Sequence, residues 1–170
     1  MSPIVRRTWS PRGKTPVLRH QTRSYKKISA MGGVSIRYSG RSPRVMFRLL
    51  IGKNAASNEF IEFLKQLKQN IRGKIIVIWD RLMAHRSKKL NKWLSIHGKR
   101  IHIEFLPPYA PELNPVEYLW SYLKFGSLAN FCPSDIDHLY KETKSALCKI
   151  RKRPHLIQSF VKHSPANFFI

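Results

Sequence analysis

Leu106-Pro107-Pro108-Tyr109-Ala110-Pro111-Glu112-Leu113-Asn114-Pro115-Val116-Glu117 is the stretch on which the fold of this 170-residue chain turns. It follows an apolar, strand-like run and opens an amphipathic helix. Three prolines ahead of Asn114 stiffen the approach by fixing φ. Asn114 is a good N-cap, and Pro115 takes the first helical position, where its missing N–H costs nothing. Glu117 then falls in the first turn, where the helix dipole favours negative charge. Two readings stay open here. Asn-x-x-Glu is close to a capping box, so Glu117 can be a cap and nothing more. Alternatively it is a carboxylate held in a rigid frame for chemistry.

Working upstream, Lys74-Ile75-Ile76-Val77-Ile78-Trp79-Asp80 reads as a strand buried on both faces, bounded by Gly73 and closed by Asp80. A carboxylate at the carboxyl end of such a strand lies where open α/β sheets place their ligands. The plainer reading is an Asp that caps the next turn. A short loop with His85 follows, then a helix over about 86–97 with Leu90, Trp93 and Leu94 on one face. The strand Ile101-His102-Ile103-Glu104-Phe105-Leu106 then leads into the proline block. Two carboxylates, Asp80 and Glu117, thus sit at the ends of successive strand–loop units.

The block Ile78-Trp79-Asp80-x4-His85, with Leu106 through Glu117 and Trp120 beyond it, resembles the DDE transposases of the IS630/Tc1/mariner superfamily. Arg7-Thr8-Trp9-Ser10-Pro11-Arg12-Gly13-Lys14-Thr15-Pro16-Val17 resembles the segment where that family's first core strand hands over to its second. The likeness covers nearly the whole chain, and the proline block is its most specific part. It implies an α/β, RNase H-like fold, a mixed sheet flanked by helices. It also implies cutting and joining of DNA at element ends, with two Mg²⁺ (or Mn²⁺) ions as cofactor. Asp80 and Glu117 match the second and third catalytic and metal-binding carboxylates, with His85, Asn114 and Pro115 supporting them.

The same resemblance marks a departure. The family's first catalytic Asp lies upstream of the Arg-Thr-Trp segment, but the first of the nine acidic residues here is Glu59. The expectation is a single catalytic domain over 1–170 with its first strand truncated and no helix-turn-helix domain. Such a chain is a truncated copy or the second frame of a frameshifted element. Arg81 stands where relatives commonly carry a small polar residue, and its guanidinium would compete for Asp80. Two metal ions can align in-line phosphodiester cleavage, and three carboxylates suffice to hold the pair. Asp80 and Glu117 alone predict weak metal binding and little or no catalysis.

Charge points the same way from separate residues. There are 32 basic and 9 acidic residues, a net charge of +23. The first 58 residues hold 13 basic side chains and no acidic one, a bias that selects a polyanion, with DNA leading. Arg6, Arg7, Arg12, Lys14 and Arg19 are the candidate contacts there, and binding should weaken steeply with salt. Trp9, Tyr25, Tyr38 and Phe47 are interleaved and available to stack on bases, although Phe47 sits in an apolar strand pattern and reads better as sheet packing. Arg86, Lys88, Lys89 and Lys92 line the polar face of helix 86–97, either as DNA contacts or as an ordinary solvated face.

Elsewhere the pattern predicts strands near 27–37 and 44–51 joined by Tyr38-Ser39-Gly40-Arg41-Ser42-Pro43. It predicts a helix over 58–71 capped by Ser57, and helices over 115–125, 135–150 (capped near Ser134) and 154–162. With the family's central strand missing, exposed strand edges would favour aggregation. Cys132 and Cys148 are too few for a disulfide framework, and no histidine pairs with cysteine at zinc-like spacing. No apolar run reaches membrane-spanning length, the two cysteines suit a reduced cytosol, and the resemblance adds DNA. A cytoplasmic, nucleoid-associated protein without membrane contact is therefore expected. The family's paired-end chemistry implies a homodimer or a complementing N-terminal fragment. Two other functions stay open: another RNase H-like nuclease, such as a junction resolvase, and a non-catalytic basic DNA-binding remnant.

Overall fold

The computed structural model describes residues 4–18, 27–37 and 43–166. In chain order the elements are β1 (Ile28–Ser35), β2 (Arg44–Ile51), α1 (Ser57–Asn70), β3 (Ile75–Trp79), α2 (Lys88–His97), β4 (Ile101–Phe105), α3 (Pro115–Tyr122), α4 (Ile136–Arg151) and α5 (Pro154–His163). Short 3₁₀ turns at Met83–Arg86 and Pro111–Leu113 and a π turn at Leu123–Ser127 complete them. Every helix and strand expected from the sequence is present, with ends shifted by a few residues. The chain divides into two compact units, one built mainly from the segments up to Lys53 and from Pro115 to His163, the other from Asn54 to Asn114.

In the first unit β1 and β2 pair antiparallel, with Ile28 opposite Ile51 and Ser35 opposite Arg44. The expected connection at 38–42 lies outside the described residues, as do Arg19 and Tyr25. The core gathers Val45 from β2 with Leu119, Leu123, Ala146, Leu147, Ile150, Ile157 and Phe160 from the helices. The helical members recur three or four positions apart, which is what puts them on one stripe. Burying each leucine stabilises the unit by roughly 1.5–3 kcal/mol. Gly32 lets α3 approach the sheet closely, since a Cβ there would come within 2.7 Å of the Trp120 ring. Phe47 packs against this core with the Arg151 guanidinium 5.7 Å over its ring, in keeping with its reading as sheet packing.

In the second unit α1 buries Phe60, Ile61, Phe63, Leu64 and Leu67. β3 and β4 pair parallel, Ile75 beside Ile101 and Trp79 beside Phe105, across a connection containing α2. The expectation that β3 is buried on both faces does not hold. Ile75 and Val77 are buried, whereas Ile76 is 66% and Ile78 42% exposed. Alternation along a strand sends successive side chains to opposite faces, and only one face of this pair is covered. Beside Ile76 and Ile78 lie His102 and Glu104, paired with each other at 2.7 Å.

Three further corrections follow from local hydrogen bonding. Among the described residues the strands form two separate two-stranded sheets, because no described strand bonds to both pairs, so the single mixed sheet is not seen. Ser57 is the first helical residue of α1, not its cap. Its hydroxyl donates to Ser87 Oγ at 2.7 Å, while the Glu59 carboxylate accepts from the Ala56 N–H at 3.1 Å. Asp135, not Ser134, caps α4, accepting the His138 N–H at 2.7 Å.

Candidate functional site

Asp80 is the residue after β3, and its carboxylate is held by its own loop. Oδ1 accepts the Leu82 N–H at 3.1 Å and lies 2.8 Å from His85 Nδ1. The same Nδ1 is 3.2 Å from the Asp80 carbonyl oxygen. Both neighbours are acceptors, so Nδ1 carries the proton and donates to Asp80. His85 is buried, stacked on Trp79 at 4.5 Å between centroids and met edge-on by Phe60 at 4.4 Å. Two aromatic rings therefore fix the imidazole, and the imidazole fixes one carboxylate oxygen. The Asp80 side chain remains 48% exposed, which leaves it open to a ligand from solvent.

Arg81 has a backbone partner that its position beside Asp80 does not announce. Its Nε donates to the Leu106 carbonyl at 3.0 Å, next to the bond from the Leu106 N–H to the Trp79 carbonyl at 2.7 Å. The side chain ties the end of β3 to the end of β4. The proline block follows β4, with Tyr109 fully exposed in the left-handed region at φ 57°. Its 3₁₀ turn is closed by the Asn114 N–H on the Pro111 carbonyl at 3.0 Å, and Ser164 Oγ donates to the Leu113 carbonyl at 2.9 Å.

Pro115 opens α3 and is buried, and Glu117 stands exposed in the first turn. The fully buried Leu119 seats this helix in the core of the first unit. Asp80 belongs to the second unit and Glu117 to the first. Among the described residues no group of three His, Cys, Asp or Glu is placed to hold a metal ion. In kind, a half-exposed carboxylate with one oxygen restrained suits a hard divalent cation such as Mg²⁺ or Mn²⁺. In number, the described donors fall short of a complete site.

Of the candidate nucleic-acid contacts, Arg6, Arg7, Arg12, Lys14, Lys88, Lys89 and Lys92 are all exposed, and Arg19 lies outside the described residues. Arg6 has a structural tie as well, donating to the Phe125 carbonyl at 2.8 Å with its guanidinium 5.9 Å from that ring. Asn130 clasps the same residue, accepting the Arg6 N–H at 2.7 Å and donating to its carbonyl at 3.0 Å. Sequence reading missed Asn130 and Phe60. Asn130 is 124 positions from its partner, and Phe60 carries the same apolar pattern as the rest of its helix. Among the described residues no helix is long and apolar enough to cross a membrane.

Comparison with known proteins gives the family. A profile described as DDE superfamily endonuclease matches residues 2–139. The chain is 32% identical over 95 residues to the insertion element IS630 uncharacterized 39 kDa protein of Shigella sonnei, covering 55% of this chain and 27% of that protein. It is 37% identical over 84 residues to the uncharacterized protein y4pE/y4sA of Sinorhizobium fredii, covering 49% of this chain and 58% of that one. In fold it is similar to the chain in the crystal structure of the Mos1 mariner paired end complex with Mn, with a TM-score of 0.54 and 16% identity over 100% of this chain and 53% of that one. The Mos1 strand transfer complex gives 0.52 and 17% over 95% and 50%. The chain thus spans less than two thirds of each of these relatives. With the profile matching from the Arg-Thr-Trp segment through Asp80 and Glu117, this chain belongs to the DDE superfamily endonucleases.

Proposed function

We propose that this chain is the catalytic region of a DNA transposase that cuts element ends and joins them to target DNA. Asp80, restrained at Oδ1 by His85 and the Leu82 N–H at the end of β3, is the observation that carries the reading. Asp80 and Glu117 would hold Mg²⁺ or Mn²⁺. When bound, such ions activate the attacking oxygen and stabilise the leaving one. The chain's own residues do the rest. His85 keeps the Asp80 carboxylate in one orientation, and the rigid Pro111–Pro115 passage delivers Glu117 at the start of α3. Arg7, Arg12, Lys14, Lys88, Lys89 and Lys92 attract the DNA backbone. The protein works on the nucleoid, as a homodimer or with an N-terminal fragment that contributes the remaining carboxylate.

A second reading, a basic DNA-binding protein without catalysis, draws support from the donor count. The two are separated by incubating plasmid DNA with Mn²⁺ and the chain, alone and mixed with the N-terminal part of an IS630-type relative. Strand cleavage that needs the added part and disappears in Asp80→Ala and Glu117→Ala establishes the transposase reading. Salt-sensitive binding without cleavage in any mixture establishes the other.

A further inference from the structure

The segment 4–18 is an irregular strap, exposed from residue 5 onward and pinned at one end. The Asn130 N–H donates to the Ile4 carbonyl at 2.9 Å, and the Asn130 side chain brackets Arg6. Farther along, the Lys14 N–H donates to the Pro11 carbonyl at 3.0 Å with Gly13 at φ 80°, which makes 11–14 a type II turn. The Ser10 hydroxyl donates to the Lys14 carbonyl across the base of that turn. Between the clasp and the turn stands Trp9, 100% exposed. Tryptophan is enriched at interaction surfaces because its ring is large and apolar while its N–H can meet water or a polar partner. Arg7, Arg12 and Lys14 flank it, all exposed, and no acidic residue occurs in the strap to neutralise them.

We propose that Trp9 is a stacking platform for an unpaired DNA base, with Arg7, Arg12 and Lys14 holding the adjoining phosphates. This rests on the DNA reading above and deepens it. The chemistry selects this ligand over duplex DNA, because in a duplex each base face is already stacked and only a displaced or single-stranded base offers a free π face. The clasp and the turn fix the aromatic and the cations on one short span, so little ordering is needed on binding.

Affinity of the full chain for a short mixed-sequence single strand and for the matching duplex tests this at one fixed salt concentration. Trp9→Ala should lower the single-strand affinity roughly 5- to 150-fold, well beyond any change for the duplex, and Trp9→Phe should restore most of it. Arg12→Ala should instead flatten the single-strand salt dependence by about 0.7 in log–log slope. Circular dichroism melting checks that the variants fold alike. An unchanged single-strand to duplex ratio in Trp9→Ala overturns the proposal and leaves the DNA reading standing. The same holds if Trp9→Ala only dissolves a dimer seen by sedimentation, for the strap then docks a second copy. Wild-type chain that binds neither DNA overturns both.

Discussion

Two carboxylates carry the proposed chemistry, and the regions around them hold them by different means. Glu117 is placed by its backbone: a buried proline starts α3, and Leu119 anchors that helix in a core shared with β2, the π turn, α4 and α5. Asp80 is placed by its side chain, through Oδ1 bonds to Leu82 and His85 at the end of a strand pair covered on one face. The first arrangement depends on packing volume and the second on hydrogen-bond geometry. The two regions should therefore fail under different substitutions.

The largest effect is expected from Leu119→Ala. Emptying a fully buried leucine site costs about 2–5 kcal/mol. Hydrogen exchange should show protection lost first in β1, β2 and α4. Equal loss around Asp80 would break the comparison by showing that the two units share one stability.

His85→Ala comes next, at about 1–3 kcal/mol, from a buried polar partner removed and an aromatic stack lost. His85→Asn retains a donor near the Nδ1 position and should recover part of the Asp80 orientation but none of the stacking. In a cleavage-competent mixture, Ala should reduce activity more than Asn does. Equal activity of both with wild type would show that Asp80 needs no side-chain restraint.

Asp135 gives the smallest effect and a useful contrast, since it is a carboxylate committed to capping. The His138 N–H, then the Ser134 hydroxyl, hold it below the usual 3.8. A lowered folded-state value means that its contribution is present above the unfolded-state value and fades as pH falls through the folded one. The effect is slight because the group is fully exposed. A carboxyl NMR titration should place its midpoint below 3.8, and Asp135→Asn should remove that part of the acid dependence in α4.

Much of this was legible because the signals are local. The proline block, the end of β3 at Asp80 and the apolar stripe of α1 each reside within a dozen consecutive residues. Long-range partnership was not legible. An aliphatic run cannot report that only one of its faces finds a cover, so Ile76 and Ile78 were misplaced. Ser57 looked like a cap until Ser87, thirty positions on, took its hydroxyl. The Arg81 Nε reaches the Leu106 carbonyl, 25 positions on, a partner its place beside Asp80 does not announce. The Asn130 clasp on Arg6 joins opposite ends of the sequence, and no spacing rule anticipates it.

The bare face of β3 has a consequence for the life of the protein in a cell. Ile76 and Ile78 stand in solvent on a native strand, so a stretch of chain normally hidden after folding stays visible. Chaperones and proteases triage chains by exposed apolar segments, chiefly in the unfolded state. Covering Ile76 and Ile78 is therefore expected to lengthen the time the protein survives in a cell.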